Sequence, residues 1–340
     1  MRKLLNTLYV TTPEAYLSKD GLNIVVSVKE KEIFRIPIIN IESIVTFGYV
    51  GASPGAMRLC ADYNVSLSFL SPNGKFIGRF QGPVKGNVLL RTKQWELAKE
   101  SNFALTISRI IVAGKIQNYR NILSRFLRDN GDNDAIESTV SHLKYCKQMA
   151  LNSPDLENLR GIEGEAANRY FEIFPHLILH QRKDFKFHGR NRRPPKDAVN
   201  AMLSFVYTLI SSDMTSALET VGLDPYIGFL HTLRPGRASL SLDMMEELRA
   251  YLGDRLVLSL INRKQITNKD FIIQGEDQVV MTDEGRKIIL SAWQNRKKEI
   301  ITHPYLGEKI SIGLLPHVQA LLLARYVRGD IDNYPVFLMS

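Results

Sequence analysis

The chain has 340 residues, 44 % hydrophobic and 23 % charged, which excludes a disordered or fibrous protein and fits an ordinary globular one. Lys and Arg number 44 against 35 Asp and Glu, a formal charge of +9 that favours an anionic partner, nucleic acid foremost. Two distant cysteines, Cys60 and Cys146, exclude a disulfide framework and show no metal-ligand spacing.

The chain opens with polar Asn6, Thr7 and Thr11 close behind Met1-Arg2-Lys3, which is not the pattern of a signal peptide. Nowhere is an apolar run long enough for a membrane helix, so a soluble cytoplasmic protein is expected. The first 80 or so residues read as strands. Residues 22–28 are β-branched and follow Asp20-Gly21, a tight-turn dipeptide; 33–41 and 43–47 continue in that style. In 65–70, Val65, Leu67 and Phe69 share one face, and Ser66 and Ser68 the other. Asn73-Gly74 reads as a second hairpin turn before a strand at 75–80. One helix interrupts the strands, with Pro54 at its start and Ala56, Met57, Leu59, Cys60 and Tyr63 at helical spacing.

Gly82, Pro83 and Gly86 punctuate the chain, and from about Arg91 the pattern is helical. A long apolar stripe runs from Trp95 through Ile107, Ile111, Ile116, Tyr119 and Leu123 to Leu127, crossing Gly114. Further helices are expected over 136–149, 164–174, 198–218, 242–252, 282–298 and 312–327. The fold expected is α+β: a small N-terminal β-rich dimerisation domain (1–82), a linker (83–90) and a larger all-α catalytic domain (91–340).

The densest charge lies in 181–196, QRKDFKFHGRNRRPPK. Arg182, Lys183, Lys186, Arg190, Arg192, Arg193 and Lys196 face a single acid, Asp184, with Phe185, Phe187 and His188 interleaved. Such cations neutralise phosphates and such aromatics stack on unpaired bases; a solvated loop is the plainer alternative.

Taken singly, the acids and histidines are ambiguous. Glu163 stands between glycines at an expected helix start, where a carboxylate favours the helix dipole. His231 sits in a turn-rich loop, and Asp243 and Glu246 share one face of a helix. Together, two carboxylates and one imidazole are a sufficient protein set for a hard divalent cation, Mg²⁺ or Mn²⁺. Such an ion is what phosphodiester chemistry at neutral pH requires.

Four blocks in order carry a resemblance: Arg160-Gly161-Ile162-Glu163-Gly164 with Tyr170-Phe171, 197–204 with Tyr207, 222–231 ending at His231, and 241–249. This set resembles the universal integrase/endonuclease family of CRISPR adaptation, and the tail ending at 333–337 resembles its type I-C branch. The resemblance implies that Glu163, His231 and Glu246 are metal ligands, with Asp243 a supporting catalytic acid. It implies that Asn200 and Tyr170 shape the site. It further implies a homodimer formed through the β domain, and a heterohexamer with a small ferredoxin-like CRISPR adaptation subunit. The substrates implied are double-stranded DNA, prespacer and CRISPR repeat, joined by 3′-hydroxyl transesterification. Two other classes stay open: a metal-dependent nuclease hydrolysing branched DNA in repair, and a non-enzymatic DNA-binding scaffold.

Overall fold

The computed structural model describes residues 7–41, 43–48, 50–71, 76–80, 82–83, 88–191, 194–275 and 278–339. The expected Asn73-Gly74 turn, Arg192, Arg193 and residues 84–87 of the expected linker lie outside them.

The N-terminal elements are β1 (Thr7–Val10), β2 (Ala15–Asp20), β3 (Asn23–Val28), β4 (Lys31–Pro37), β5 (Ser43–Phe47), β6 (Gly51–Ala52), α1 (Pro54–Asp62), β7 (Ser66–Leu70) and β8 (Phe76–Phe80). They form two sheets, in the orders β1-β5-β7-β8 and β4-β3-β2-β6. In the first, β1, β5 and β7 run parallel and β8 antiparallel; in the second, β2, β3 and β4 are antiparallel and β6 parallel to β2. Asp20-Gly21 turns β2 into β3, with Gly21 at φ +56°, a conformation glycine adopts without cost. Strand β4 stops at Pro37, short of the expected 41, and a 3₁₀ turn follows. Helix α1 starts where Ser53 Oγ accepts from Ala56 N, with Pro54 in the first turn.

Leu17, Ile24, Val26, Ile44, Leu59 and Leu67 fill the space between the two sheets and α1. The other face of the first sheet sends Val45, Phe47 and Leu70 into the core of the helical part. Both faces of β7 are therefore covered, and Ser68, on the face opposite Leu67, is buried. The two parts share one wall.

The helical part comprises α2 (Val88–Lys99), α3 (Ser101–Asn130), α4 (Asp134–Leu151), α5 (Leu156–Ile173), α6 (Ala198–Val221) and α7 (Ser239–Leu248). A π-helical stretch, Arg249–Asp254, leads into α8 (Arg255–Asn262). Then come β9 (Phe271–Gln274), β10 (Gln278–Met281), α9 (Asp283–Lys298), β11 (Ile300–Thr302), β12 (Lys309–Ser311) and α10 (Leu315–Arg328). Two short hairpins, β9-β10 and β11-β12, thus interrupt a part that is otherwise helical.

Helix α3 is the axis of the molecule, and α4, α5 and α7 lie against it. It passes through Gly114 because a Cβ there would stand 2.3 Å from Val336 of the C-terminal tail. That tail is pinned by the buried Glu247 carboxylate, which accepts from Tyr334 Oη, Phe337 N and Gln319 Nε2.

Helix α5 corrects the expected start at 164. Asp155 Oδ1 accepts from Asn158 N at 2.8 Å and caps the helix two turns earlier. Glu163 is therefore a mid-helix residue with no helix terminus to favour its charge.

Candidate metal centre

The apolar face of α3 that carries Ile111, Val112 and Tyr119 also carries Lys115, which is 2 % exposed. A buried ammonium needs partners, and it has two. Its Nζ donates to Glu163 Oε1 on α5 and lies 2.7 Å from Glu246 Oε2 on α7. Glu246 Oε1 is also 3.0 Å from Arg249 Nη2, whose guanidinium lies over the Tyr207 ring at 5.1 Å. Two carboxylates from two helices are thus balanced by two buried cations.

Burial alone would push the Glu246 carboxyl up. Arg249, then Lys115 and His231, outweigh it and hold that carboxyl well below the usual carboxylate range. Lys115 answers in kind: burial disfavours its charge, but Glu163 and Glu246 together raise its affinity for the proton. Glu246 Oε2 is buried, and its close partner is the Lys115 ammonium at 2.7 Å. An ionised, buried carboxylate already held by a cation is chemically suited to a cation.

Asp243 does something different. Its buried carboxylate accepts from Phe229 N at 2.6 Å and Leu230 N at 3.0 Å on Oδ2. Oδ1 accepts from His231 N at 3.0 Å and lies 2.6 Å from His231 Nδ1. Gly228 permits this wrapping, since a Cβ there would stand 2.8 Å from both Asp243 Oδ2 and the Ser239 backbone. With four donors around it, Asp243 orients His231 and has little lone-pair capacity left for a ligand. In the neutral ring, a proton on Nδ1 toward Asp243 leaves the lone pair on Nε2. Arg160 Nε donates to Leu230 O at 3.0 Å and ties the same loop to α5.

The structure therefore joins Glu163 to Glu246 through Lys115 and places His231 within electrostatic reach of Glu246. The donor atoms of Glu163, His231 and Glu246 do not all close to within 4.8 Å; among the described residues only His142, Cys146 and Glu165 do. The donor set nevertheless fits a hard divalent cation by its chemistry: two carboxylates and one imidazole oriented by Asp243.

Lys115 was missed by sequence reasoning, and Arg160 and Arg249 stood in the quoted motif blocks without a role. The one readable signal was a lone cation on the buried stripe of α3. Tyr170 and Asn200 hold the surroundings. Tyr170 stacks on Tyr119 at 3.9 Å, and Asn200 donates to Gly189 O while its Oδ1 accepts from Arg190 and Asn191.

The basic segment 181–196 is not one open face. Phe185 and Phe187 are buried, Phe187 against Phe171 and Phe174 and Phe185 against Phe271, so neither is available to stack on a base. Arg190 turns inward, donating to Asn200 Oδ1 at 2.7 Å and Ser204 Oγ at 3.0 Å beneath Tyr207. Arg182 donates from Nε to Ile178 O, and Lys183, Lys186 and Lys196 are exposed. Among the described residues no helix is long and apolar enough to cross a membrane.

The family model described as CRISPR associated protein Cas1 matches residues 8–295. A CRISPR-associated endonuclease Cas1 of Chlorobaculum tepidum is 50 % identical over 99 % of this chain and 99 % of its own. The solved Cas1 protein of Thermotoga maritima superposes with a TM-score of 0.82 at 25 % identity, covering 98 % of this chain and all of its own. A chain of a solved Cas6-RT-Cas1–Cas2 complex superposes with a TM-score of 0.84 at 22 % identity over 99 % of this chain and 36 % of its own.

Proposed function

Because the chain belongs to the Cas1 family of CRISPR-associated proteins, we propose that it is a metal-dependent DNA endonuclease/integrase that inserts short prespacer duplexes into the CRISPR repeat. The observation that carries this reading is the pair of carboxylates, Glu163 and buried Glu246, brought from two helices onto one buried ammonium, with His231 within electrostatic reach of Glu246.

Glu163, Glu246 and His231 Nε2 would hold the ion, Mg²⁺ or Mn²⁺. When bound, the cation neutralises charge that builds on the scissile phosphate and the leaving oxygen. The protein's own residues prepare the place. Arg249 and Lys115 keep Glu246 ionised across the neutral range. Asp243 fixes the tautomer and direction of His231. The nucleophile comes from the substrate: the 3′-hydroxyl oxygen of the prespacer bonds to the repeat phosphorus as its proton passes to solvent, and the bond to the repeat's leaving 3′-oxygen breaks, that oxygen taking a proton from solvent to become a 3′-hydroxyl. Water in place of that hydroxyl gives hydrolysis, in keeping with the endonuclease name of the relatives.

The net charge of +9 suits a duplex partner. The exposed Ile33 and Phe34 on edge strand β4 suit a homodimer joined through the β-rich part. A small ferredoxin-like subunit completing a heterohexamer is the partner we assign, by analogy with the Cas1–Cas2 complex.

Glu163→Ala tests the reading. We expect strand transfer and cleavage to fall to background while DNA binding and folding persist, since one ligand goes and no phosphate contact does. Integration at the wild-type rate by a folded Glu163→Ala protein would overturn it. Cleavage of branched DNA without any joining, by wild-type protein with its small partner, would favour the repair nuclease instead.

A further inference from the structure

A groove of about 570 Å³ lies between the C-terminal half of α3, helix α8 and the C-terminal half of α9. Arg125, Arg255, Arg263 and Arg296 line it, and among the described residues Asp129 and Glu299 are its acids. Each acid serves an arginine of its own helical stretch. Asp129 is 3.5 Å from Arg125, and Glu299 is 2.6 Å from Arg296. Both carboxylates are more than half exposed, so their pull is largely screened.

The arginines crowd one another. Arg255 and Arg296 both lie over the Tyr251 ring, at 5.1 and 4.9 Å. Arg296 Nε and Nη2 are buried and, among the described residues, donate to nothing. Burial weakens the hold of Arg255 on its proton, and repulsion from Arg296 and Arg125 weakens it further; only Tyr251 and Glu299 act the other way. A folded chain that gathers cations without acids to match them keeps that cost unless an anion shares the site.

We propose that this groove binds a phosphodiester of the DNA backbone, as an anchor separate from the candidate metal centre. The planar fork of arginine matches phosphate oxygens two at a time. The identity of the occupant rests on the DNA-processing reading above; the affinity for phosphate does not. Lys115 and Arg125 are ten residues apart on α3, about 15 Å along its axis.

The full chain is tested as two double variants, Arg255→Gln/Arg296→Gln and, on the more exposed rim, Arg125→Gln/Arg263→Gln. The second keeps the test alive should the first fail to fold. Binding to a duplex is measured across a salt series, and thermal unfolding is measured with and without inorganic phosphate. We expect the slope of log K against log salt to flatten by about one to two units in each variant. Phosphate should raise the unfolding midpoint of the wild type and leave that of the variants unmoved. Unchanged slopes with the phosphate response lost would make this a free-anion site and overturn the DNA assignment. Unchanged slopes with the phosphate response intact would overturn the site altogether. A wild-type chain that binds no DNA would sink the proposed function and the DNA occupant together, while its phosphate response would still decide whether the groove holds an anion.

Discussion

Helix α3 passes two clusters of charge about three turns apart, and they are built on opposite plans. At Lys115 the cation is buried and meets two carboxylates from two other helices, Glu163 and Glu246, with Arg249 completing the balance. At Arg125 the neighbours are more arginines, Arg255 and Arg296, and the acids are exposed and local. The first cluster neutralises itself within the fold. The second is left for something outside the chain to neutralise. A balanced cluster tolerates deep burial and can exchange its cation for another; an unbalanced one stays near the surface as a groove.

The balance at Lys115 is broken most severely by Lys115→Met, which keeps the side-chain length and removes the charge. Two carboxylates then face each other without their shared cation, and loss of one partner from such a buried group costs about 3–5 kcal/mol. Without divalent metal, we expect the variant to unfold in urea with a stability lower by that order. Added Mn²⁺ should restore much of the loss, so the metal-dependent rise in stability should be larger in the variant than in the wild type. Equal responses to Mn²⁺ in the two proteins would separate the cluster from metal binding.

How much of this was legible in the sequence follows from the same contrast. The β-rich start, the long stripe of α3 and the helices at 198–221 and 283–298 came through because periodicity and turn residues agree there. Strands β1 and β2 did not, since Thr7–Val10 and Ala15–Asp20 carry little β-branched alternation and are held by their neighbours in the sheets. The start of α5 was misplaced because Gly161 and Gly164 look like punctuation, whereas Asp155 supplies the cap. The acids and the histidine stood out only as an ordered set of motifs. Lys115 escaped because its carboxylates lie 48 and 131 positions away, a pairing that only the packing of three helices creates. The aromatics of 181–196 misled for the converse reason: charge density marks a surface, but Phe185 and Phe187 are held by rings contributed from elsewhere.

Between the two clusters lies Asp254, on the π-helical stretch that leads from Arg249 to Arg255. Tyr207 Oη donates to its Oδ1 at 2.5 Å. Burial pushes its carboxyl up from 3.8 to about 6, and the bonds and cations around it only partly resist. The folded chain then holds this proton more tightly than the unfolded chain does. The stabilising contribution is full below about pH 4 and is lost as the pH rises through about 6. Asp254→Asn keeps an acceptor for Tyr207 and cannot titrate. Relative to wild type, its stability should improve by at most about 3 kcal/mol between pH 4 and pH 7. Urea unfolding of both proteins at the two pH values measures this. A constant difference would mean that Asp254 titrates alike folded and unfolded, and that the segment between the clusters carries its charge without cost.

The mildest test compares the arginine groove with the basic segment, the other candidate for holding phosphates. Within 181–196 the structure separates two kinds of cation. Lys183 and Lys186 are exposed, while Arg190 is committed to Asn200, Ser204 and the face of Tyr207. Only the first kind can release counterions from DNA without disturbing the fold. We expect Lys183→Ala/Lys186→Ala to leave the unfolding midpoint unchanged and to flatten the salt slope by up to about two units, roughly 0.9 for each phosphate lost. Arg190→Ala should do the reverse, lowering stability by about 1–3 kcal/mol as Asn200 and Ser204 lose their donor, with the slope preserved. Should the lysine pair leave the slope untouched while the groove variants change it, the dense charge of this loop is a solvated surface and the sparser arginines of α3, α8 and α9 hold the DNA. If Arg190→Ala flattens the slope without loss of stability, its side chain must leave the pocket of Asn200 to reach DNA, and the division between inward and outward cations fails at that residue.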